Sequence, residues 1–200
     1  MPQTQTASAI RYIHDAPESL ISRLLRFSLR FTRLKTIIER GVASDHINQQ
    51  APPLPSALTT RCDVTVTEHD GRSVWTLTPK ASTSDQTVFF LHGGAYIFNL
   101  AVQHWQFITS LIKHTGVTVV VPDYPLAPSA NAVDALAFTD AVYRQALSTT
   151  APDKITFMGD SAGAGLAYAF AQGLRDAGAP LPRQLILFSP WLDITMTTPG

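Results

Sequence analysis

The stretch ITFMGDSAGAG, residues 155–165, places a serine where it could act as a nucleophile. β-Branched and aromatic residues lead into Gly-Asp-Ser-Ala-Gly, and a helical pattern of small residues follows. Glycines two residues before and two after Ser161 allow the sharp strand-to-helix turn that holds a serine hydroxyl above a sheet. Such a serine transfers acyl groups when a histidine takes its proton. Helix capping by Ser161 is the alternative interpretation of this turn.

A second stretch, HGGAY at residues 92–96, could bind the oxyanion that forms during acyl transfer. Backbone N–H groups suit this task because they are oriented before the reaction starts. Two adjacent glycines let the chain bend so that successive amides face one point. We therefore expect donors from this loop and from the helix start, namely Gly93, Gly94, Ala95 and Ala162. A simple strand-to-helix turn with a hydrogen-bonded His92 is the alternative.

The elements that must position these motifs follow from the apolar pattern. Residues 62–79 alternate around Asp70-Gly71, which predicts an antiparallel hairpin. Short apolar runs predict further strands, and helical spacing predicts helices between them, the second with Asn131 as its N-cap. The strands are 87–92, 117–122, 154–159 and 184–190, and the helices are 103–115, 131–148 and 162–177. This order predicts an α/β fold, a mostly parallel sheet with helices on both faces. Ligands of such sheets bind at the carboxyl ends of the strands, where both motifs lie.

The N-terminal part of the chain has a different pattern. Residues 18–40 repeat apolar side chains at steps of three and four, which predicts an amphipathic helix with arginines on its polar side. The proline-rich residues 51–56 predict a stiff linker. We therefore divide the chain into an N-terminal helix with its linker, residues 1–56, and an α/β domain, residues 57–200. Weak attachment to a membrane surface through the basic face is one interpretation of the helix.

Composition excludes several classes of function. Fifteen Lys and Arg balance fifteen Asp and Glu, so no charge excess indicates nucleic acid as a partner. Cys62 is the only cysteine, which excludes an internal disulfide and fits a reducing, cytoplasmic compartment. The opening residues MPQTQTAS do not resemble a secretory signal, and no run of about 18 apolar residues is present. Because no Cys/His cluster has ligand spacing, we expect no metal and no other cofactor. The sequence does not indicate an oligomeric state.

Four motifs, in this order along the chain, resemble the hormone-sensitive-lipase-like esterases of the α/β-hydrolase fold, the fold-3 group. They are HGGAY, VVVPDYPLAP, MGDSAG and SPWLDIT, and the resemblance covers residues 60–195. It implies that Ser161 is the nucleophile and that an oxyanion hole is formed by the amides of Gly93, Gly94, Ala95 and Ala162. It also implies that the glycine loop is supported by His92, Asp123 and Tyr124. By the same resemblance the chain is a carboxylic ester hydrolase for a small-molecule acyl ester, with residues 18–40 as a cap.

The chain departs from this family pattern at three points. Ala95 stands where the family has a third glycine, and Ser129 stands where it has a glutamate. The catalytic order in this fold is serine, then acid, then histidine, yet all six histidines precede Ser161, at positions 14, 46, 69, 92, 104 and 114. We therefore expect that the chain lacks the triad Asp and His and the last strands, as part of a longer protein or a truncated product, and that it is inactive alone. A non-catalytic protein that binds a small ligand is the alternative, because a fold does not fix an activity.

Overall fold

The computed structural model describes Ser19, residues 50–81 and residues 84–195. The strands are β1 Cys62–His69, β2 Arg72–Pro79, β3 Thr87–Leu91, β4 Thr118–Pro122, β5 Ile155–Asp160 and β6 Gln184–Phe188. The helices are α1 Ser56–Arg61, α2 Val102–Thr115, α3 Ala132–Leu147 and α4 Ser161–Asp176, with a 3₁₀ turn at Pro152–Lys154. The described residues from Gln50 onward belong to one compact unit. Apart from Ser19, the helix predicted over 18–40 lies outside the described residues, so the domain division and the cap and membrane interpretations stay predictions.

The six strands form one sheet in the order β1-β2-β4-β3-β5-β6. β1 pairs antiparallel with β2, and β2 pairs antiparallel with β4. The remaining pairs, β3 with β4, β3 with β5 and β5 with β6, are parallel. Asp70 and Gly71 have φ angles of 48° and 73°, the two positive values that a tight hairpin turn requires. The predicted hairpin and mostly parallel sheet are confirmed.

Helices cover both faces of the sheet, and the strand period of two explains how. Phe89 and Leu91 of β3 join a core cluster with side chains of α3 and α4. Val88 and Phe90, the alternate residues, join a second cluster with side chains of α1 and α2. Because successive strand residues point to opposite faces, both layers need apolar residues, and the central strands read as continuous apolar runs.

Two N-terminal features of the compact unit differ from the sequence expectation. The α1 helix is not predicted by its sequence, because Leu58 is its only buried residue and no apolar periodicity develops in six residues. The segment predicted as a linker packs against the core through Ala51 and Leu54. The indole N–H of Trp105 donates to the Pro52 carbonyl at 3.0 Å, which fixes this segment to α2.

One edge of the sheet is formed by β6. Within residues 50–81 and 84–195, β6 pairs only with β5. Leu185, Ile186 and Leu187 are half-buried, and Phe188 is 44% exposed, whereas β5 is almost wholly buried. This edge therefore presents unpaired backbone groups and apolar side chains in the described part of the chain. Among the described helices, none combines the length and the apolar character needed to cross a bilayer.

Candidate active site

Ser161 lies at the junction of β5 and α4. Its φ angle is 48°, in the left-handed region that residues with a Cβ seldom adopt. Asp160 occupies the N-cap position and makes no side-chain capping bond, so the interpretation of Ser161 as a helix cap is wrong. A Cβ on Gly163 would collide with the carbonyl oxygens of Leu91 and His92. The missing side chain at this position therefore lets α4 start directly against the end of β3.

The loop after β3 turns back on itself within five residues. Gly94 has a φ angle of 138°, and Ala95 and Tyr96 have φ angles of 54° and 59°. The Gly94 carbonyl accepts from the amides of Ile97 and Phe98 at 3.0 and 2.8 Å. A Cβ on Gly94 would collide with the Phe98 carbonyl, so this turn requires glycine. Three successive left-handed residues aim backbone groups in directions that a strand or helix does not allow.

The glycine loop and the serine turn are joined by a hydrogen bond. The Gly93 N–H donates to Oδ1 of Asp160 at 2.9 Å. This N–H was expected among the oxyanion donors, but it is already bonded to the carboxylate beside Ser161. The amides that follow it, at Gly94 and Ala95, and the Ala162 amide in the first turn of α4 are the other expected donors. First-turn amides have no acceptor within their own helix.

His92 is enclosed beneath the loop and does not reach Ser161. Its Nδ1–H donates to the Gly93 carbonyl at 2.8 Å, which leaves Nε2 as the unprotonated nitrogen. Nε2 has no hydrogen-bond partner among the described residues. Burial lowers the pKa of His92 to about 4, so the ring is neutral at pH 7. Its expected supporting position is therefore compatible with the geometry, whereas proton transfer from Ser161 is not.

Tyr124 and Asp123 hold the loop from the adjacent strand end. The Tyr124 hydroxyl donates to the His92 carbonyl at 2.5 Å, and its ring stacks on the His92 ring at 4.4 Å. Oδ1 of Asp123 accepts from Nη2 of Arg72 and from Nδ2 of Asn99, both at 2.8 Å. Asn99 follows the glycine loop directly, so this carboxylate fixes the far end of the loop. Burial raises the pKa of Asp123 despite these two donors.

His104 is a site residue that the sequence reasoning missed. It is the third residue of α2, and its Nε2 lies 3.4 Å from each carboxylate oxygen of Asp160. Burial acts to raise the pKa of Asp160, but hydrogen bonds from His104 and the Gly93 amide outweigh it and lower the pKa. The only sequence signal for this role would have been a capping pattern at the start of α2. That pattern normally has Ser or Thr at the N-cap and Glu or Gln three residues later, whereas α2 has Ala101 and His104.

An apolar cavity of about 430 Å³ lies along α4, and Ser161 is not among the residues that line it. The backbone N–H of Trp191 donates to the Ser161 carbonyl at 2.9 Å, and the Trp191 and Tyr96 rings lie 6.0 Å apart. Both rings line the cavity, together with Gly165, one helical turn after Ser161. The other walls come from the segment 125–130, the start of α3, α4 and residues 192 and 194. The volume lies in the range of about 300–1,000 Å³ that is usual for small-molecule pockets.

The other described histidines and Ser129 contact groups other than the Ser161 hydroxyl. His69 lies 3.6 Å from a carboxylate oxygen of Asp70. His104 bonds to Ala101 and Asp160, and His114 bonds to the Ser110 carbonyl. Ser129, at the glutamate position of the family, donates to the Leu126 carbonyl at 3.1 Å. Within the described part of the chain, no three His, Cys, Asp or Glu residues are grouped as a metal site would need.

Comparison with known proteins supports the same architecture. A sequence model of the alpha/beta hydrolase fold matches residues 88–200. The chain is 34% identical over 150 residues to a triacylglycerol lipase of Mycobacterium tuberculosis, covering 74% of this chain and 34% of that protein. It is 37% identical over 115 residues to an acetyl-hydrolase of Streptomyces hygroscopicus, covering 57% and 38%. An esterase of Acinetobacter venetianus is 36% identical over 118 residues, covering 58% and 39%. The chain thus spans between 34% and 39% of the length of these curated relatives.

Solved structures agree with the sequence relatives. An esterase from the bacterial hormone-sensitive lipase family superimposes with a TM-score of 0.64 and 30% identity, covering 73% of this chain and 48% of that one. An esterase/lipase from an uncultured bacterium gives a TM-score of 0.64 with 27% identity, covering 74% and 50%. The left-handed serine between β5 and α4, the glycine loop tied to it and these matches lead to one conclusion. The chain belongs to the α/β hydrolase fold family, in the group of the hormone-sensitive-lipase-like esterases.

Proposed function

We propose that this chain carries the nucleophile and the oxyanion-binding part of a carboxylic ester hydrolase. The observation that carries the proposal is the left-handed Ser161 at the start of α4, joined through Asp160 to the glycine loop. Three relatives are named triacylglycerol lipase, acetyl-hydrolase and esterase, and these names support hydrolysis of carboxylic esters. We assign the substrate class as small-molecule acyl esters.

The proposed reaction is acyl transfer in two steps. The Ser161 oxygen attacks the ester carbonyl carbon, and the serine proton passes to a base. The carbonyl oxygen becomes an oxyanion, held by the N–H groups of Gly94, Ala95 and Ala162. The bond to the alcohol oxygen then breaks, the alcohol leaves with a proton, and water hydrolyses the acyl-serine to release the acid. Each oxyanion donor in such sites contributes about 2.7–4 kcal/mol to the transition state.

The base of this reaction lies outside the described residues in our proposal. No described histidine is hydrogen-bonded to Ser161. The catalytic histidine of this fold follows the serine along the chain, and no histidine follows Ser161 in these 200 residues. Removal of a triad member leaves about 10³–10⁴-fold acceleration over water, from the oxyanion hole and binding alone. We therefore expect the 200-residue chain to hydrolyse esters very slowly.

Imidazole in solution provides the test, because it can replace the base. Turnover of p-nitrophenyl acetate is measured with and without imidazole for the chain, for Ser161→Ala and for Ser148→Ala, an exposed serine at the end of α3. We expect imidazole to raise turnover above its own background in the chain and in Ser148→Ala, but not in Ser161→Ala. Equal turnover in all three proteins would refute a nucleophilic Ser161. Fast turnover without imidazole that is lost in Ser161→Ala would refute an external base.

Non-catalytic binding of an apolar ligand is a second candidate, favoured by the cavity beside Trp191. Trp75 and Trp105 pack against each other on the opposite face of the sheet, so Trp191 alone reports on this cavity. A bromine-labelled fatty acid should quench Trp191 fluorescence, and Trp191→Phe should abolish the effect. Quenching without imidazole-dependent turnover would favour binding over hydrolysis. Absence of quenching would remove this candidate.

A further inference from the structure

His104 connects the start of α2 to the carboxylate beside the nucleophile. Its Nδ1 accepts from the Ala101 N–H at 2.8 Å, the bond that caps α2. A neutral imidazole whose Nδ1 is an acceptor carries its hydrogen on Nε2. That Nε2 lies 3.4 Å from both oxygens of Asp160, so the ring donates to the carboxylate. The His104 side chain thus accepts a hydrogen bond at the start of α2 and donates one to Asp160 at the end of β5.

Asp160 passes this connection to the glycine loop. Its Oδ1 accepts the Gly93 N–H at 2.9 Å. A Cβ on Gly93 would collide with Oδ2 of the same carboxylate, so the loop and the carboxylate are in close contact. Among the described residues, the Asp160 carboxylate contacts the Gly93 N–H and the His104 ring, and its backbone leads directly into Ser161.

We propose that His104 is a positioning residue that holds the Asp160 carboxylate on the Gly93 amide and thereby fixes the glycine loop above Ser161. A carboxylate without this donor would be free to rotate towards water and leave the Gly93 amide unpaired. The loop following Gly93 contains the amides assigned to the oxyanion. The catalytic meaning of this role rests on the proposed function, whereas the hydrogen-bond coupling itself does not.

The side chain of glutamine offers a matched replacement for the imidazole. Its carbonyl oxygen can accept from Ala101 while its amide nitrogen donates to Asp160, and glutamine, with glutamate, is a usual residue at this position of a capped helix. His104→Gln therefore keeps both bonds. His104→Phe keeps a ring of similar size but neither bond, and His104→Asn has an amide too short to reach Asp160. The comparison separates hydrogen bonding from packing.

The test measures the Gly93 amide by NMR in the full ¹⁵N-labelled chain, with His114→Phe as control at the exposed end of α2. We expect His104→Phe and His104→Asn to raise Gly93 hydrogen exchange about tenfold, the factor expected for loss of one hydrogen bond. His104→Gln and His114→Phe should exchange like the original chain. If His104→Phe fails to fold, His104→Asn and His104→Gln still decide the question. Unchanged Gly93 exchange in His104→Asn, or exchange in His104→Gln as fast as in His104→Asn, would overturn the proposal.

A second readout links the coupling to chemistry. Imidazole-dependent turnover should fall in His104→Phe and be restored in His104→Gln. If Ser161→Ala leaves turnover unchanged, the proposed function fails, yet Gly93 exchange still decides the role of His104. If Gly93 exchange is unaffected while Ser161 is required for turnover, only the positioning role fails.

Discussion

Mild acid should destabilise the protein through His92. The ring is fully buried in the folded chain, and burial lowers its pKa from 6.5 to about 4. The unfolded chain exposes the ring, whose pKa returns to about 6.5. Between these values the unfolded state binds more protons than the folded state, so the free energy of unfolding rises with pH. The stability contributed by the neutral His92 ring is complete above the pKa of the unfolded chain, about 6.5, and is lost as the pH falls towards the pKa of the folded chain, about 4.

The size of this effect follows from the two pKa values. One pKa unit corresponds to about 1.4 kcal/mol of differential interaction between protonation states. The difference between 6.5 and about 4 therefore predicts a loss of about 3 kcal/mol across this range. The free energy of unfolding of an ordinary domain is about 5–15 kcal/mol, so this loss is a large part of it.

Urea unfolding at a series of pH values measures the slope. We expect the original chain to lose stability between about pH 6.5 and 4 more steeply than His92→Gln, whose side chain cannot titrate. His114→Gln, which alters an exposed ring on α2, should keep the steep slope. NMR of the His92 ring gives an independent reading, with its signals constant down to about pH 5. Equal slopes for the chain and His92→Gln, or a His92 titration near its ordinary pKa, would refute the reasoning.

Three further substitutions test the packing that holds the site. Gly163→Ala should destabilise the fold by about 1–3 kcal/mol, because the added Cβ meets backbone carbonyls; Gly173→Ala on the same helix has no neighbour within 4 Å and should stabilise it slightly in thermal unfolding. Asn131→Ala should cost about 1 kcal/mol by removing the α3 cap, and Asn131→Asp should restore it. Tyr124→Phe should cost about 1–3 kcal/mol, because the buried His92 carbonyl loses its donor. If the unfolding midpoint is unchanged in Gly163→Ala, Asn131→Ala or Tyr124→Phe, the contact assigned to that residue does not stabilise the fold.

Most of the α/β architecture could be predicted from the sequence because its signals are local. The Asp70-Gly71 pair specifies a tight turn by itself, and the apolar runs of β3 and β5 specify strands that are buried on both faces. The Asn131 cap likewise depends on residues two and three positions away. In contrast, α1 is stabilised by burial of Leu58 against a distant part of the core, which no local pattern records.

The details of the candidate site were less predictable because they depend on contacts between distant residues. The motif around Ser161 predicted a turn, and the structure has a left-handed residue there. The sequence could not indicate that the Gly93 amide is hydrogen-bonded to Asp160, because these residues lie 67 positions apart. The bond between His104 and Asp160 spans 56 positions and belongs to no familiar motif.

The junction of α4 with β3 has a consequence for how such a protein can diversify. Gly159 and Gly163 approach main-chain atoms there, including the Leu91 carbonyl, and not variable side chains. Main-chain atoms are the same whatever amino acids occupy the neighbouring positions. Residues lining the adjacent cavity can therefore be exchanged during evolution while the spacing between serine and loop is inherited unchanged.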